Sequence, residues 1–179
     1  LGCLGEGYEV PSLWGVKEDV YCAGKDSTFV FLEDVLTEVT DLFPYGLVHI
    51  GGDECPKARW KECPRCQRRM RDEGLGSEEE LQSYFVRRIE RFLASRNRRM
   101  VGWDEIRQGG LSETAIVLSR KREQGLRSAL ENGNDVIMTP YLNCYFDYYQ
   151  GSRETEPLAF GGFLPLRTAY DLDPFEGLN

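Results

Sequence analysis

Two glycines and two carboxylates stand in a row at Gly51-Gly52-Asp53-Glu54, directly after the apolar run Leu47-Val48-His49-Ile50. Glycines at a strand end let the backbone turn in ways that other residues resist. Adjacent acids in a low-dielectric cleft resist joint ionisation, so one of them is pushed up in pKa and can serve as a general acid near neutral pH. Taken alone, a surface turn carrying two solvated acids is the simpler reading of these four residues. If the pair acts on a glycosidic bond, geometry narrows the chemistry. A retaining enzyme with a protein nucleophile needs carboxyls about 5–5.5 Å apart across the sugar, and an inverting one about 6.5–9.5 Å. Neighbours on an extended segment point to opposite sides, so Asp53 and Glu54 are poorly placed to face each other across one anomeric carbon. They fit better a scheme in which the substrate's own 2-acetamido oxygen attacks that carbon. One carboxyl then acts as acid and base, and its neighbour holds the acetamido N–H.

The elements that must position such a pair follow from apolar spacing. Leu47 to Ile50 is too short for a helix and reads as a buried strand, as do Met100 to Trp103, Ala115 to Leu118 and Val136 to Met138. Between them, Leu32, Val35, Leu36, Val39, Leu42 and Phe43 repeat at helical spacing over Phe29 to Phe43, and Pro44 ends the run. Residues 57–73 read as one charged helix. Another begins at Ser77, with Glu80 placed to complete a capping box and Leu81, Tyr84, Phe85, Ile89, Phe92 and Leu93 as its apolar stripe. Glu123 to Glu131 reads as a further helix, and residues 1–26 as irregular loop. Strands alternating with helices are the mark of parallel βα units, whose sites form at the C-terminal strand ends. There lie Asp53 and Glu54, Trp103 to Glu105, Ser119 and Arg120, and Tyr145 and Asp147. Four strands in 179 residues amount to half of a (β/α)8 barrel. The expected fold is therefore α/β, a partial TIM barrel in one domain over residues 1–179.

Composition bounds the partners. A net charge of −8 argues against nucleic acid, and the Arg clusters alternate with acids as salt-bridged helix faces do. No apolar run is long enough to span a bilayer. Six cysteines leave three options open: disulfides, free thiols, or a zinc knuckle built from Cys55, Cys63 and Cys66 with Cys22, although the usual second CxxC is absent. His49, the single histidine, sits in a strand among apolar neighbours and reads as a buried, hydrogen-bonded support rather than a catalytic base.

His49-Ile50-Gly51-Gly52-Asp53-Glu54 resembles the signature of glycoside hydrolase family 20, the β-N-acetylhexosaminidases. Val101-Gly102-Trp103-Asp104-Glu105-Ile106, Asp135 to Pro140, and Cys144-Tyr145-Phe146-Asp147-Tyr148-Tyr149-Gln150 follow in the family's order and spacing, and the similarity runs on through Phe160-Gly161-Gly162. The resemblance implies Glu54 as general acid/base and Asp53 as the group that orients the acetamido and stabilises an oxazolinium. It implies Tyr145 as donor to the acetamido oxygen, Asp147 as a sugar-hydroxyl ligand and Trp103 as a wall of the acetamido pocket. Packing alone is the competing account of Trp103 and of Tyr145, which stands in an aromatic cluster. No metal or other cofactor is implied. The substrate expected is an N-acetylhexosamine-containing oligosaccharide or glycoconjugate, and the expected location is outside the cytoplasm: periplasmic, cell-surface or secreted.

The resemblance also has gaps. The family's early strands, with a sugar-binding Arg and an Asp and His supporting the catalytic Glu, have no counterpart here, nor does its last strand. Ser119-Arg120-Lys121-Arg122 stands where the family usually has Ser-Trp-Arg-Gly. A fragment inactive on its own within an active parent enzyme is the expectation. A non-catalytic carbohydrate-binding relative, a zinc-stabilised interaction module and a hydrolase of other sugars are the alternatives.

Overall fold

The structure, a computed structural model, describes residues 1–3, 11–120, 127 and 130–174. Four strands, β1 (Leu47–His49), β2 (Arg99–Trp103), β3 (Ile116–Ser119) and β4 (Asp135–Met138), lie side by side in chain order as one parallel sheet. The pairing sets Val48 beside Met100, Val101 beside Ile116 and Ser119 beside Met138. All four C-terminal ends therefore open on the same edge. Met100 and Val101 on β2 and Ile116 and Val117 on β3 are buried in succession, as both-face burial of inner parallel strands requires. The outer strands β1 and β4 are more exposed.

Helices accompanying the sheet include α1 (Asp26–Leu42), α2 (Ala58–Glu62), α3 (Pro64–Glu73), α4 (Glu78–Ser95), α5 (Tyr141–Cys144) and α6 (Leu166–Tyr170). α4 is the organiser, packing on β2, α1 and α3. Its Leu81 and Leu93 are wholly buried with Phe29 of α1 and Met100 of β2. Each such side chain contributes about 1.5–3 kcal/mol of burial. The Ser77 Oγ accepts from the Glu80 N–H at 3.2 Å, as the sequence predicts. Glu80 reaches back one residue further than a standard capping box, to the Gly76 N–H at 2.9 Å. The Arg-rich faces are indeed paired: Arg69 and Arg88 both meet Asp26, and Arg69 also meets Glu73.

Several expectations change. Residues 57–73 form two helices, broken at Cys63, which is extended. Pro64 causes the break, because its ring disfavours a helical residue before it while suiting the first position of a new helix. α1 starts a turn earlier than Phe29, and its apolar row is split: Leu32, Leu36 and Val39 are half-buried, but Val35, Leu42 and Phe43 are exposed. The helix expected over Glu123 to Glu131 falls largely outside the described residues. Among its described residues the N-terminal stretch carries only an isolated bridge between Gly2 and Tyr21, yet its Cys3, Cys22 and Ala23 are core residues. No helix among the described residues is long and apolar enough to cross a membrane.

Candidate active site

The chain leaves β1 still attached to β2. Ile50 N–H donates to Val101 O at 2.9 Å, and Trp103 N–H donates to Gly51 O at 2.8 Å. The next turn is possible only because of its glycines: Gly51 has φ +74° and Gly52 φ +95°, and a Cβ on Gly52 would lie 2.3 Å from the Ile106 Cγ2. From the other side α4 holds the same segment. The Gln82 Nε2 donates to Gly52 O at 2.8 Å, while the Lys57 ammonium bridges the Gln82 Oε1 and the Cys55 carbonyl. Glu54 itself sits at φ 48°. A side-chain-bearing residue in that left-handed region costs about 1–2 kcal/mol, strain of the kind that gathers at functional sites.

Asp53 and Glu54 face different surroundings. Asp53 is half-buried and its Oδ2 lies 3.1 Å from the Arg120 Nη1. Arg120 holds Glu105 Oε1 at 2.8 Å with its other nitrogen, bonds the Tyr145 side chain and lies over the Trp103 ring with its Cζ 4.9 Å from the centroid. Burial works to lower the Arg120 pKa, but its bonds to Tyr145 and Glu105 and the charges of Glu105 and Asp53 raise it beyond its ordinary value. The group is a fixed cation. Glu54 is exposed. It lines, with Asp53, a cavity of about 920 Å³ walled by Tyr21, Ile50, Trp60 and Phe85.

Of the residues singled out from sequence, Asp53, Trp103 and Tyr145 are gathered around Arg120, with Glu54 next in the chain. Asp147 is not joined to them by any hydrogen bond or ion pair among the described residues. It is exposed and lines a separate surface pocket with Phe146, Tyr148 and Phe160. His49 is exposed rather than buried, because it stands at the end of the outer strand β1. It still acts as a support: its Nδ1 accepts from the Gly51 N–H at 3.0 Å and its ring packs edge-on to Trp103. Partial burial lowers its pKa, against the opposing charge of Asp53. Disulfides were one expectation for the cysteines, and none of the six is disulfide-bonded.

Sequence reasoning missed how three residues work. Asp104 is buried and accepts from the Ser119 Oγ at 2.8 Å and from the Arg120 N–H at 2.7 Å. It thereby fixes the end of β3 and sets where Arg120 starts. Glu105 supplies the second anchor of Arg120, and its Oε2 is buried without a hydrogen-bond partner among the described residues. The signal available was the run Trp103-Asp104-Glu105, two adjacent acids at the C-terminal end of a buried strand. Gln82 gave none, being a polar residue within the helical stripe.

The family model for the glycosyl hydrolase family 20 catalytic domain matches residues 5–178. A β-hexosaminidase of Porphyromonas gingivalis is 50% identical over 175 residues, 97% of this chain and 22% of that protein. One of Vibrio furnissii is 36% identical over 88% of this chain and 26% of its own length. Among solved structures, the β-N-acetylhexosaminidase of Bacteroides fragilis superposes with a TM-score of 0.76 at 29% identity, covering 87% of this chain and 31% of that one. The exo-β-N-acetylglucosaminidase of Vibrio harveyi, solved in complex with N-acetylglucosamine, gives 0.77 at 30% identity over 90% and 26%. This chain thus spans about a quarter of the two curated relatives' length. With the match running from end to end of the described sheet and through both carboxylates, the chain belongs to glycosyl hydrolase family 20, within its catalytic domain.

Proposed function

We propose that the intact protein removes terminal β-linked N-acetylhexosamine, gluco- or galacto-configured, from oligosaccharides or glycoconjugates with retention of configuration. The observation that carries this reading is the division between adjacent carboxyls: Asp53 is pinned by Arg120 beside Trp103, while Glu54 is exposed at the cavity mouth. In the first step Glu54 gives its proton to the glycosidic oxygen as the C1–O bond breaks, and the acetamido oxygen bonds to C1 from the opposite face. Asp53, paired with the Arg120 guanidinium, takes the acetamido N–H and faces the positive charge of the oxazolinium. In the second step the Glu54 carboxylate removes a proton from water, whose oxygen attacks C1 as the acetamido oxygen leaves. Tyr145 donates to the acetamido oxygen, Trp103 walls the pocket, and Asp147 takes a sugar hydroxyl once substrate bridges to it. No cofactor enters either step.

The same reading takes the four parallel strands as consecutive members of a (β/α)8 barrel in one catalytic domain, and places the protein outside the cytoplasm with its glycan substrates. Its test is substrate discrimination. The intact protein is expected to hydrolyse a chromogenic N-acetyl-β-glucosaminide and to be inert, within assay limits, on the matching β-glucoside, which lacks the internal nucleophile. Equal turnover of both would sink the acetamido-assisted scheme and leave a hydrolase of other sugars.

A second reading, a carbohydrate-binding relative without turnover, is favoured by one observation: Arg120 fills the place where the resemblance implies a second aromatic wall. In the catalytic reading Arg120 is a positioning residue for Asp53. Arg120→Ala is then expected to cost about tenfold in kcat/KM, roughly 1.4 kcal/mol, since the pair is only partly buried. Initial-rate kinetics decide it; an unchanged kcat/KM would show that Asp53 is oriented without Arg120.

A further inference from the structure

Four cysteines outside the carboxylate site meet in the core. Cys3, Cys22, Cys63 and Cys66 are all buried, and their sulfurs all lie within 4.8 Å of one another. The shortest separations are 3.6 Å for Cys22–Cys66 and 3.8 Å for both Cys3–Cys66 and Cys22–Cys63. A zinc ion bound by four thiolates at about 2.3 Å sits in a tetrahedron whose edges are about 3.8 Å. We propose that these four cysteines form a structural tetrathiolate site for one zinc ion.

Two other accounts fit less well. A disulfide draws sulfurs together in pairs, to about 2.05 Å. Here Cys22 approaches Cys63 and Cys66, and Cys66 approaches Cys3 and Cys22, so the group is one cluster and not two couples. Plain packing explains why thiols are buried but not why four of them converge from three separate segments. Cys55, which sequence spacing had offered as a ligand, is not in the group, and Cys3 takes its place.

The surroundings are built for the convergence. Cys63-Pro64-Arg65-Cys66 turns through the break between α2 and α3, which Pro64 enforces. The opposing segments are paired: Gly2 bridges Tyr21, and the Cys22 N–H donates to Leu1 O at 3.1 Å. Gly24 lies so close to α3 that a Cβ would be 2.3 Å from the Arg65 carbonyl carbon and 2.5 Å from the Cys66 nitrogen. Any larger residue would push the Cys22 loop away from its partners. With four protein sulfurs no coordination position stays open, so the ion has a structural and not a Lewis-acid role. It ties the N-terminal segments to the α2–α3 corner, and Leu1, Gly2, Tyr21 and Trp60 of those parts line the cavity beside Asp53 and Glu54. The Trp60 indole N–H donates to Tyr21 O at 2.9 Å across that join.

Elemental analysis of the intact protein, purified without chelator, is the first measurement. About one zinc per chain is expected, lost in Cys3→Ser and in Cys66→Ser and kept in Cys55→Ser and Cys144→Ser. Cobalt(II) loaded in zinc's place is expected to give thiolate charge-transfer absorption and the strong visible bands of tetrahedral coordination. Removal of the metal should lower Tm. Absence of stoichiometric metal in the wild-type protein overturns the proposal without any variant having to fold, as does mass-spectrometric detection of disulfides among the four. Iron at that stoichiometry overturns the assignment to zinc, and unchanged zinc in folded Cys66→Ser overturns the ligand set.

Discussion

Glu54→Gln in the intact protein is expected to lower kcat/KM on an unactivated N-acetylglucosaminide by about 10²–10⁴-fold, the usual worth of a positioned general acid/base. The substitution keeps side-chain length and removes only the proton traffic. Glu54 has no hydrogen-bond or ion-pair partner among the described residues and is exposed, so stability should stay within about 0.5 kcal/mol of wild type. The pattern of the loss separates chemistry from structure. Substrates whose leaving group departs without protonation should recover much of the first step, after which oxazolinium breakdown limits turnover for want of a base. Azide, an anion that needs no deprotonation, should then restore turnover and yield the glycosyl azide with retained configuration. Asp53→Asn should respond to neither aid, because its task lies in the charge facing the acetamido group. Activity of Glu54→Gln within threefold of wild type, or a loss that azide and leaving group leave unchanged, would remove Glu54 from the acid/base role.

What was legible in the chain depended on the range of the interaction. The strands were legible because each is a short apolar run beside turn residues, and local pattern alone distinguishes these from the long stripe of α4. The Ser77 cap was legible for the same reason, since its partners lie within four residues. The Pro64 break is a local signal too, and the charge continuity of residues 57–73 obscured it. Asp53 and Glu54 were legible as an acidic pair, but their opposite surroundings were not. Asp53 depends on Arg120, 67 residues on, and Arg120 in turn depends on Asp104, Glu105 and Tyr145. No spacing rule connects those positions; only the parallel register of β1, β2 and β3 does. The same limit explains Cys3. Its partners are remote in sequence, so counting CxxC motifs pointed to Cys55, the nearer neighbour. His49 failed differently. Apolar neighbours imply burial only where both faces and edges of a strand are covered, and β1 is an outer strand among the described residues.

Gly52→Ala is expected to destabilise the protein by about 2–4 kcal/mol and to remove most of the activity. Two separate costs add. At φ +95° the new Cβ makes the backbone strained whatever the space around it. It would also lie 2.3 Å from the Ile106 Cγ2, and Ile106 is wholly buried, so overpacking of about 1–3 kcal/mol cannot be relieved by a side chain swinging into solvent. The chain must shift instead, and its neighbours resist: Gly52 O is held by Gln82, and Gly51 O by the Trp103 N–H. Whatever gives way moves Asp53 and Glu54 relative to Trp103, and misplacement of about 1 Å is enough to cost on the order of 10²-fold in rate. Gly46→Ala is the matched control. Gly46 precedes β1, a Cβ there would meet no atom within 4 Å, and its φ is ordinary. Chemical denaturation of both variants and kcat/KM on the N-acetylglucosaminide give the comparison. Equal stability of the two would mean that the Gly52 turn is pliable, and that the carboxylates are held in place by Gln82 and Arg120 rather than by the close packing of backbone against Ile106.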